Sequence, residues 1–235
     1  MRIEFLFAEV ANLFGSNGDM EYIQKIFPEA EILRTQILET PRFIEGDVEL
    51  VYFGPMSEQA QVLAIQKLMP YVERIRQRIE DGQAFLAIGN AVEIFGQYIE
   101  TSDETVQALN IFPFYAKQQM LKRINAIFLG EKDGLRIVGS KSQFTQVFKT
   151  GAFPTFCPAI KGMGLNQQSK EEGVHYKNFI GTYLLGPFLI MNPLFTERWF
   201  GDLFPGESLH MPYHALAIQA YEKRIEELLD PRAVP

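Results

Sequence analysis

The chain has 235 residues, 47% of them hydrophobic and 22% charged. That is the make-up of a globular domain able to bury a sizeable core. Lys and Arg number 22 against 29 Asp and Glu, a net charge of −7, so no overall field draws nucleic acid or an anionic membrane. A single cysteine, Cys157, excludes an internal disulfide and any multi-cysteine metal site.

In chain order, residues 3–8 form an apolar run interrupted by an acid, which predicts a strand rather than a signal peptide. Asn17, Gly18 and Asp19 offer a cap for a helix reaching residue 26. Residues 30–37 and 48–53 read as the next strands, the latter almost wholly apolar, as a strand covered on both faces must be. Residues 57–80 carry Val62, Ile65, Leu68, Val72, Ile75 and Ile79 at helical spacing and predict one long helix, ended by Asp81-Gly82. Residues 84–88 are a fourth apolar strand, with a helix expected over 92–98. This alternation implies a parallel, doubly wound sheet with right-handed crossovers.

The pattern then changes. Residues 109–114, 124–129, 135–138 and 173–183 predict strands separated by turns, hence an antiparallel extension. Residues 166–173 predict a mobile loop. Asn192-Pro193 is a helix start, with Asn as cap and Pro at the first helical position. A last helix is expected over 212–229. The aromatic-rich stretch 188–204 reads either as a helix packed on the sheet or as part of a partner interface. His210 and His214 stand four apart with Pro212 between them, and His175 is isolated, so no metal site is expected. No apolar run approaches the roughly 18 residues of a membrane span. One cytoplasmic domain over residues 1–235 is the expectation.

Two stretches carry chemistry by what they lack. The first is Ala84 to Gly96, Ala-Phe-Leu-Ala-Ile-Gly-Asn-Ala-Val-Glu-Ile-Phe-Gly. The second runs from Glu172 to Pro187 and contains His175-Tyr-Lys-Asn178 and Gly181-Thr-Tyr-Leu-Leu-Gly-Pro187. Together they resemble the cobyric-acid-synthase-like (CobB/CobQ) class I glutamine amidotransferases, and within these the glutaminase subunits (GatD) of lipid II isoglutaminyl synthase. Asn12 to Gly15, Val51 to Ser57, Gln61, Leu63, Ala64 and Leu68 continue the likeness, which covers nearly the whole chain. The resemblance implies an α/β, flavodoxin-like three-layer sandwich with a mostly parallel sheet and an antiparallel extension.

In that family the first stretch holds a nucleophilic Cys on a strand-to-helix turn and the second holds a His base. A thiolate attacks the glutamine amide, the His moves the proton, and backbone N–H groups stabilise the oxyanion. By the resemblance, the nucleophile position here is Gly89 and the base position is Leu185. Pro55 stands for a glycine of the turn beside the oxyanion and has no N–H. Gln146 stands where an arginine near the substrate is expected. The resemblance therefore implies the fold without the Cys/His dyad and without a cofactor. It points to a non-hydrolysing subunit that binds a small ligand or a Mur-ligase-like (MurT-like) partner in cell-wall precursor (lipid II) amidation. The ligand-binding candidates are Gly54, Pro55, Met56, Gly89, Asn90, Gln143 and Gln146. The rivals are an enzyme with chemistry relocated to Glu93, Lys141 or a tyrosine, an active amidotransferase on cobyrinate-type or peptidoglycan substrates, and a purely structural subunit. Glu93 is read as solvated or capping, Cys157 as a packed residue, and His175 as structural.

Overall fold

The structure, a computed structural model, describes residues 1–232. Its elements in chain order begin with β1 (Arg2–Leu6), α1 (Ser16–Ile26), β2 (Glu31–Thr35), α2 (Arg42–Glu45) and β3 (Leu50–Phe53). Then come α3 (Glu58–Leu68), α4 (Val72–Glu80), β4 (Ala84–Ile88) and a 3-10 helix over Gly89–Phe95. The middle of the chain is all strand: β5 (Tyr98–Glu100), β6 (Thr105–Gln107), β7 (Phe114–Gln118), β8 (Ile124–Lys132), β9 (Leu135–Gln143), β10 (Thr145–Lys149), β11 (Cys157–Lys161), β12 (Glu171–Glu172), β13 (Val174–Tyr176) and β14 (Phe179–Thr182). Three helices close it: α5 (Phe188–Met191), α6 (Pro193–Leu203) and α7 (His214–Leu229).

The main sheet has the order β13-β14-β4-β3-β1-β2, parallel throughout except for β13. Side chains alternate across it because successive residues of a strand point to opposite faces. Val51, Phe53, Phe85 and Ala87 join one core with Ile65, Leu68, Ile75 and Ile79 of α3 and α4. Leu50, Tyr52, Leu86 and Ile88 join the other, with α1, α5 and α6. This is the three-layer α/β sandwich that the resemblance implies. The rest is larger than an antiparallel extension and includes one parallel pair, β5 with β7. It makes two further four-stranded sheets, β10-β7-β5-β6 and β12-β11-β8-β9. The long β8–β9 hairpin turns at Asp133-Gly134, both with positive φ, as a tight two-residue hairpin requires. No helix among the described residues is long and apolar enough to cross a membrane.

Several sequence expectations change. The helix over 57–80 is two helices, because Pro70 has no N–H to give and a 3-10 turn over Met69–Tyr71 separates them. Residues 109–114 are loop up to β7, tied by the N–H groups of Leu109, Ile111 and Phe112 to Ile94 and Phe95. Residues 173–183 break into the β13–β14 hairpin. Asp19 does not cap α1, whose N-cap is Gly15. It is buried and accepts from the N–H groups of Phe188 and Leu189 and from the Tyr52 hydroxyl, so it holds the start of α5. Burial pushes its carboxyl up to about 7. Asn192 precedes Pro193 as expected, but its side chain binds the backbone of Val138 and Phe188 instead of capping α6. Phe188, Leu189, Phe195, Trp199 and Phe200 are buried against the second core, so most of the aromatic stretch is core packing. The loop over 166–173 is held by Asn166, which accepts from the N–H groups of Gln168 and Ser169 and donates to Val147.

Candidate functional site

Parallel α/β sheets present their ligand crevice at the carboxyl ends of the strands, where the strand order reverses. Here β2-β1 run one way from the switch and β3-β4-β14 the other. The segments leaving β1, β3, β4 and β14 meet there and enclose a cleft of about 130 Å³.

At its inner end β4 stops abruptly. It is buried on both faces, and the next residue, Gly89, turns the chain into the 3-10 helix with φ +63°. An L side chain rarely adopts that backbone. A Cβ added at Gly89 would lie 2.8 Å from Pro55 Cβ and 3.2 Å from Leu185 Cδ2. Those two side chains already fill the space a residue-89 side chain would use. Pro55 has no N–H. The Met56 N–H donates to Asn90 Oδ1 at 3.0 Å, and Asn90 Nδ2 donates to the Met56 carbonyl at 2.9 Å. The Asn90 carboxamide thus clamps the turn after β3 and consumes the amide donor there.

Beyond this lies Glu93, fully buried, where a solvated or capping residue was expected. Gln61 Nε2 donates to its carboxylate at 2.9 Å, Tyr183 OH at 3.1 Å, and Thr145 Oγ1 also donates. Burial outweighs these bonds and pushes the Glu93 carboxyl up to about 7. Gln143 also lines the cleft and is 9% exposed. Its Nε2 donates to the Thr145 carbonyl at 2.6 Å, while its Oε1 has no hydrogen-bond partner among the described residues. Arg123 stands at the rim, its guanidinium 4.4 Å above the Phe144 ring.

Of the candidates from sequence, Pro55, Met56, Gly89, Asn90 and Gln143 come together in the cleft, with Leu185 beside them. Gly54 does not line it; a Cβ there would strike the Ala11 carbonyl and Ser16 Oγ, so it is a packing glycine. Gln146 also turns away and accepts from the Gln167 N–H. Lys141 is sealed from solvent in an ion pair with Glu172 and donates to the Gly164 carbonyl, outside the cleft. Cys157 is buried, and burial holds its thiol well above the ordinary range. His175 sits in β13, and burial lowers its pKa. His214 pairs with Glu197 and His210 with the Lys25 carbonyl. No group of three metal-ligating side chains stands together among the described residues. Sequence reasoning passed over Gln61, Thr145, Tyr183 and Arg123 as site residues. The first three lay inside stretches already singled out, while Arg123 carried no signal.

Residues 23–193 match the CobB/CobQ-like glutamine amidotransferase domain. The chain belongs to that family. Its relatives include the GatD subunit of a glutamine-hydrolysing lipid II isoglutaminyl synthase from Staphylococcus aureus, 29% identical over 163 residues, 69% of this chain and 66% of that protein. The GatD subunit from Streptococcus pneumoniae is 25% identical over 203 residues, 84% of this chain and 78% of that one. Among solved structures, one glutamine amidotransferase superposes with TM-score 0.55 at 13% identity, over 85% of this chain and 97% of the other. A second, from Thermotoga maritima, gives TM-score 0.53 at 11% identity, over 97% and 93%. Both share the fold.

Proposed function

We propose that this chain is a non-hydrolysing member of the family, a single-domain cytoplasmic subunit that holds a partner or small ligand. One observation carries the proposal. At the elbow after β4, Gly89 offers no nucleophile, and Pro55 and Leu185 occupy the space where its side chain would be. Around it, Leu185 can move no proton, Pro55 offers no N–H, and the Met56 N–H is already bonded to Asn90. Attack on an amide needs a nucleophile, a base and oxyanion donors, and the elbow supplies none of the three.

The two relatives named above are subunits of a synthase acting on lipid II. By that likeness the process is lipid II amidation, and the partner is a Mur-ligase-like subunit. The test has two arms. The purified chain, alone and with a co-expressed Mur-ligase-like protein, is assayed for ammonia release from glutamine and for co-elution. Co-elution without ammonia release supports the proposal. Ammonia release on the order of 1 s⁻¹, an ordinary enzymatic rate, overturns it.

Glu93 favours one second reading, an enzyme using this carboxyl as acid or base, since a group near neutrality suits proton transfer. Under that reading Glu93→Gln abolishes a turnover that the native chain shows with some amide or ester. Under the first there is no turnover to lose.

A further inference from the structure

Two tight turns with apolar tips border the mouth of the cleft. We infer that these tips dock the protein on an anionic lipid surface, with Met120, Leu121 and Phe14 entering the interface and Lys122 and Arg123 meeting the headgroups.

The first turn joins β7 to β8. The Lys122 N–H donates to the Gln119 carbonyl at 2.9 Å and closes it, while the Gln119 N–H donates to the Phe144 carbonyl at 2.7 Å and anchors it. Met120 and Leu121 thus hold the two central positions. Gly, Pro, Asn, Asp and Ser usually stand there, because each suits the dihedrals or bonds the backbone. Met120 is 49% exposed and Leu121 is 101% exposed, so Leu121 adds nothing to the core.

The second turn leaves β1 for α1. The Ser16 N–H donates to the Leu13 carbonyl at 3.1 Å, and the central residues Phe14 and Gly15 have φ +52° and +86°. Glycine takes that backbone freely, whereas a phenylalanine there is strained. Phe14 is still 43% exposed, so burial in the core does not offset the strain. Leu13 and Phe14 line the cleft, and so do Gln118 and Arg123, which flank the first turn. Both tips therefore border one opening.

Charge and shape select the occupant. Lys122 and Arg123 are exposed and pair with no carboxylate among the described residues. Residues 105–130 contain no Asp or Glu. Of the two acids lining the cleft, Glu93 is buried, which leaves Glu58. The chain as a whole carries −7. At physiological salt, however, the Debye length is about 8 Å, so a surface senses the charges nearest to it. Cations beside apolar side chains are the combination that anionic bilayers hold. A stable protein interface has a continuous core packed to interior density, whereas a fluid bilayer closes around separate projections. None of this depends on the chemistry at the elbow.

The purified chain is sedimented with vesicles of mixed phosphatidylglycerol and phosphatidylcholine, and with phosphatidylcholine alone, at low and high salt. We expect binding to the anionic vesicles that weakens with salt. Met120→Ser with Leu121→Ser is expected to weaken it by about tenfold or more, through lost apolar burial. Lys122→Gln with Arg123→Gln should weaken it by about tenfold. All four residues are exposed, so both variants should melt with the native chain. Leu216→Ser removes an apolar group 64% exposed on α7 and should bind as the native chain does. Leu121→Trp reads insertion directly. Its emission should shift to the blue on anionic vesicles, against a constant signal from Trp199, which is buried and is the one native tryptophan. No binding to anionic vesicles, binding unchanged in the Met120 and Leu121 variant, or no blue shift at residue 121 overturns the inference. A co-eluting protein lost in that same variant, with vesicle binding absent, would make this face a protein-docking surface and overturn it too.

Discussion

Glu93 and Glu172 are two fully buried glutamates on either side of Tyr183. Tyr183 OH donates to Glu93, and the Tyr183 N–H donates to Glu172 at 2.8 Å. Their surroundings differ in one respect. Glu172 has the Lys141 ammonium against it and the Thr182 hydroxyl at 2.8 Å. Glu93 has only neutral donors, and its carboxyl rises to about 7. A charge with a counter-ion in a sealed site ties β9 to β12. A carboxyl without one, lining a cleft, stays sensitive to protons and to what enters. The same side chain is structural in the first setting and responsive in the second.

The comparison breaks first at Lys141. Lys141→Met leaves Glu172 buried without its cation, and removing one partner of such a pair costs about 3–5 kcal/mol. Urea unfolding should show that loss, partly recovered in the double variant with Glu172→Gln. A loss under about 1 kcal/mol, the worth of an exposed pair, would put Glu172 in the same class as Glu93.

At Glu93 the sign runs the other way. Its folded-state carboxyl lies near 7 against an ordinary 4.5. The stabilisation from holding the proton is therefore complete below about 4.5 and is lost as pH rises through about 7, a change of about 3 kcal/mol. The native protein should melt lower at pH 8 than at pH 5. Glu93→Gln should flatten that slope, leaving the part due to Asp19, which also lies near 7. Parallel melting curves for the two proteins would show that Glu93 does not hold its proton.

Gly89→Cys tests the elbow against both glutamates. The positive φ and the 2.8 Å approach to Pro55 Cβ predict a loss of about 1–2 kcal/mol, since a non-glycine residue in the left-handed region costs about that much. No glutaminase activity should appear, because residues of such a unit regain little singly. Detectable turnover in this single variant would mean that Leu185 and Pro55 do not block the chemistry.

The most local effect is expected at Asn90→Ala. It removes two exchanged bonds with Met56, each worth about 1 kcal/mol net. Hydrogen exchange at the Met56 amide should quicken. Unchanged protection there would show that Asn90 does not hold the turn.

Much of this was legible in the chain. The apolar strands 48–53 and 84–88 fell close to β3 and β4, because a strand covered on both faces must be continuously apolar. Gly89 at an abrupt turn followed from the motif and from glycine's freedom at positive φ. The long-range partners were not legible. Asp19 looked like a local cap, yet its acceptors serve Phe188 and Leu189, far away in sequence. Glu93 looked solvated because glutamate usually is, and only the meeting of Gln61, Thr145 and Tyr183 around it makes its burial tolerable.

The sequence by itself determined the parallel α/β frame, the family likeness, and a glycine at residue 89 and a leucine at residue 185. Each of these is written in local composition, periodicity or a contiguous motif. Tertiary structure alone decided that Pro55 and Leu185 close over Gly89, that Gln143 lines the cleft with its Oε1 buried and unpaired among the described residues, and that Lys141 belongs to Glu172. Those facts depend on which strand ends the fold brings together. Hydrogen bonds and ion pairs act over a few ångströms in space, and sequence separation carries no record of that distance.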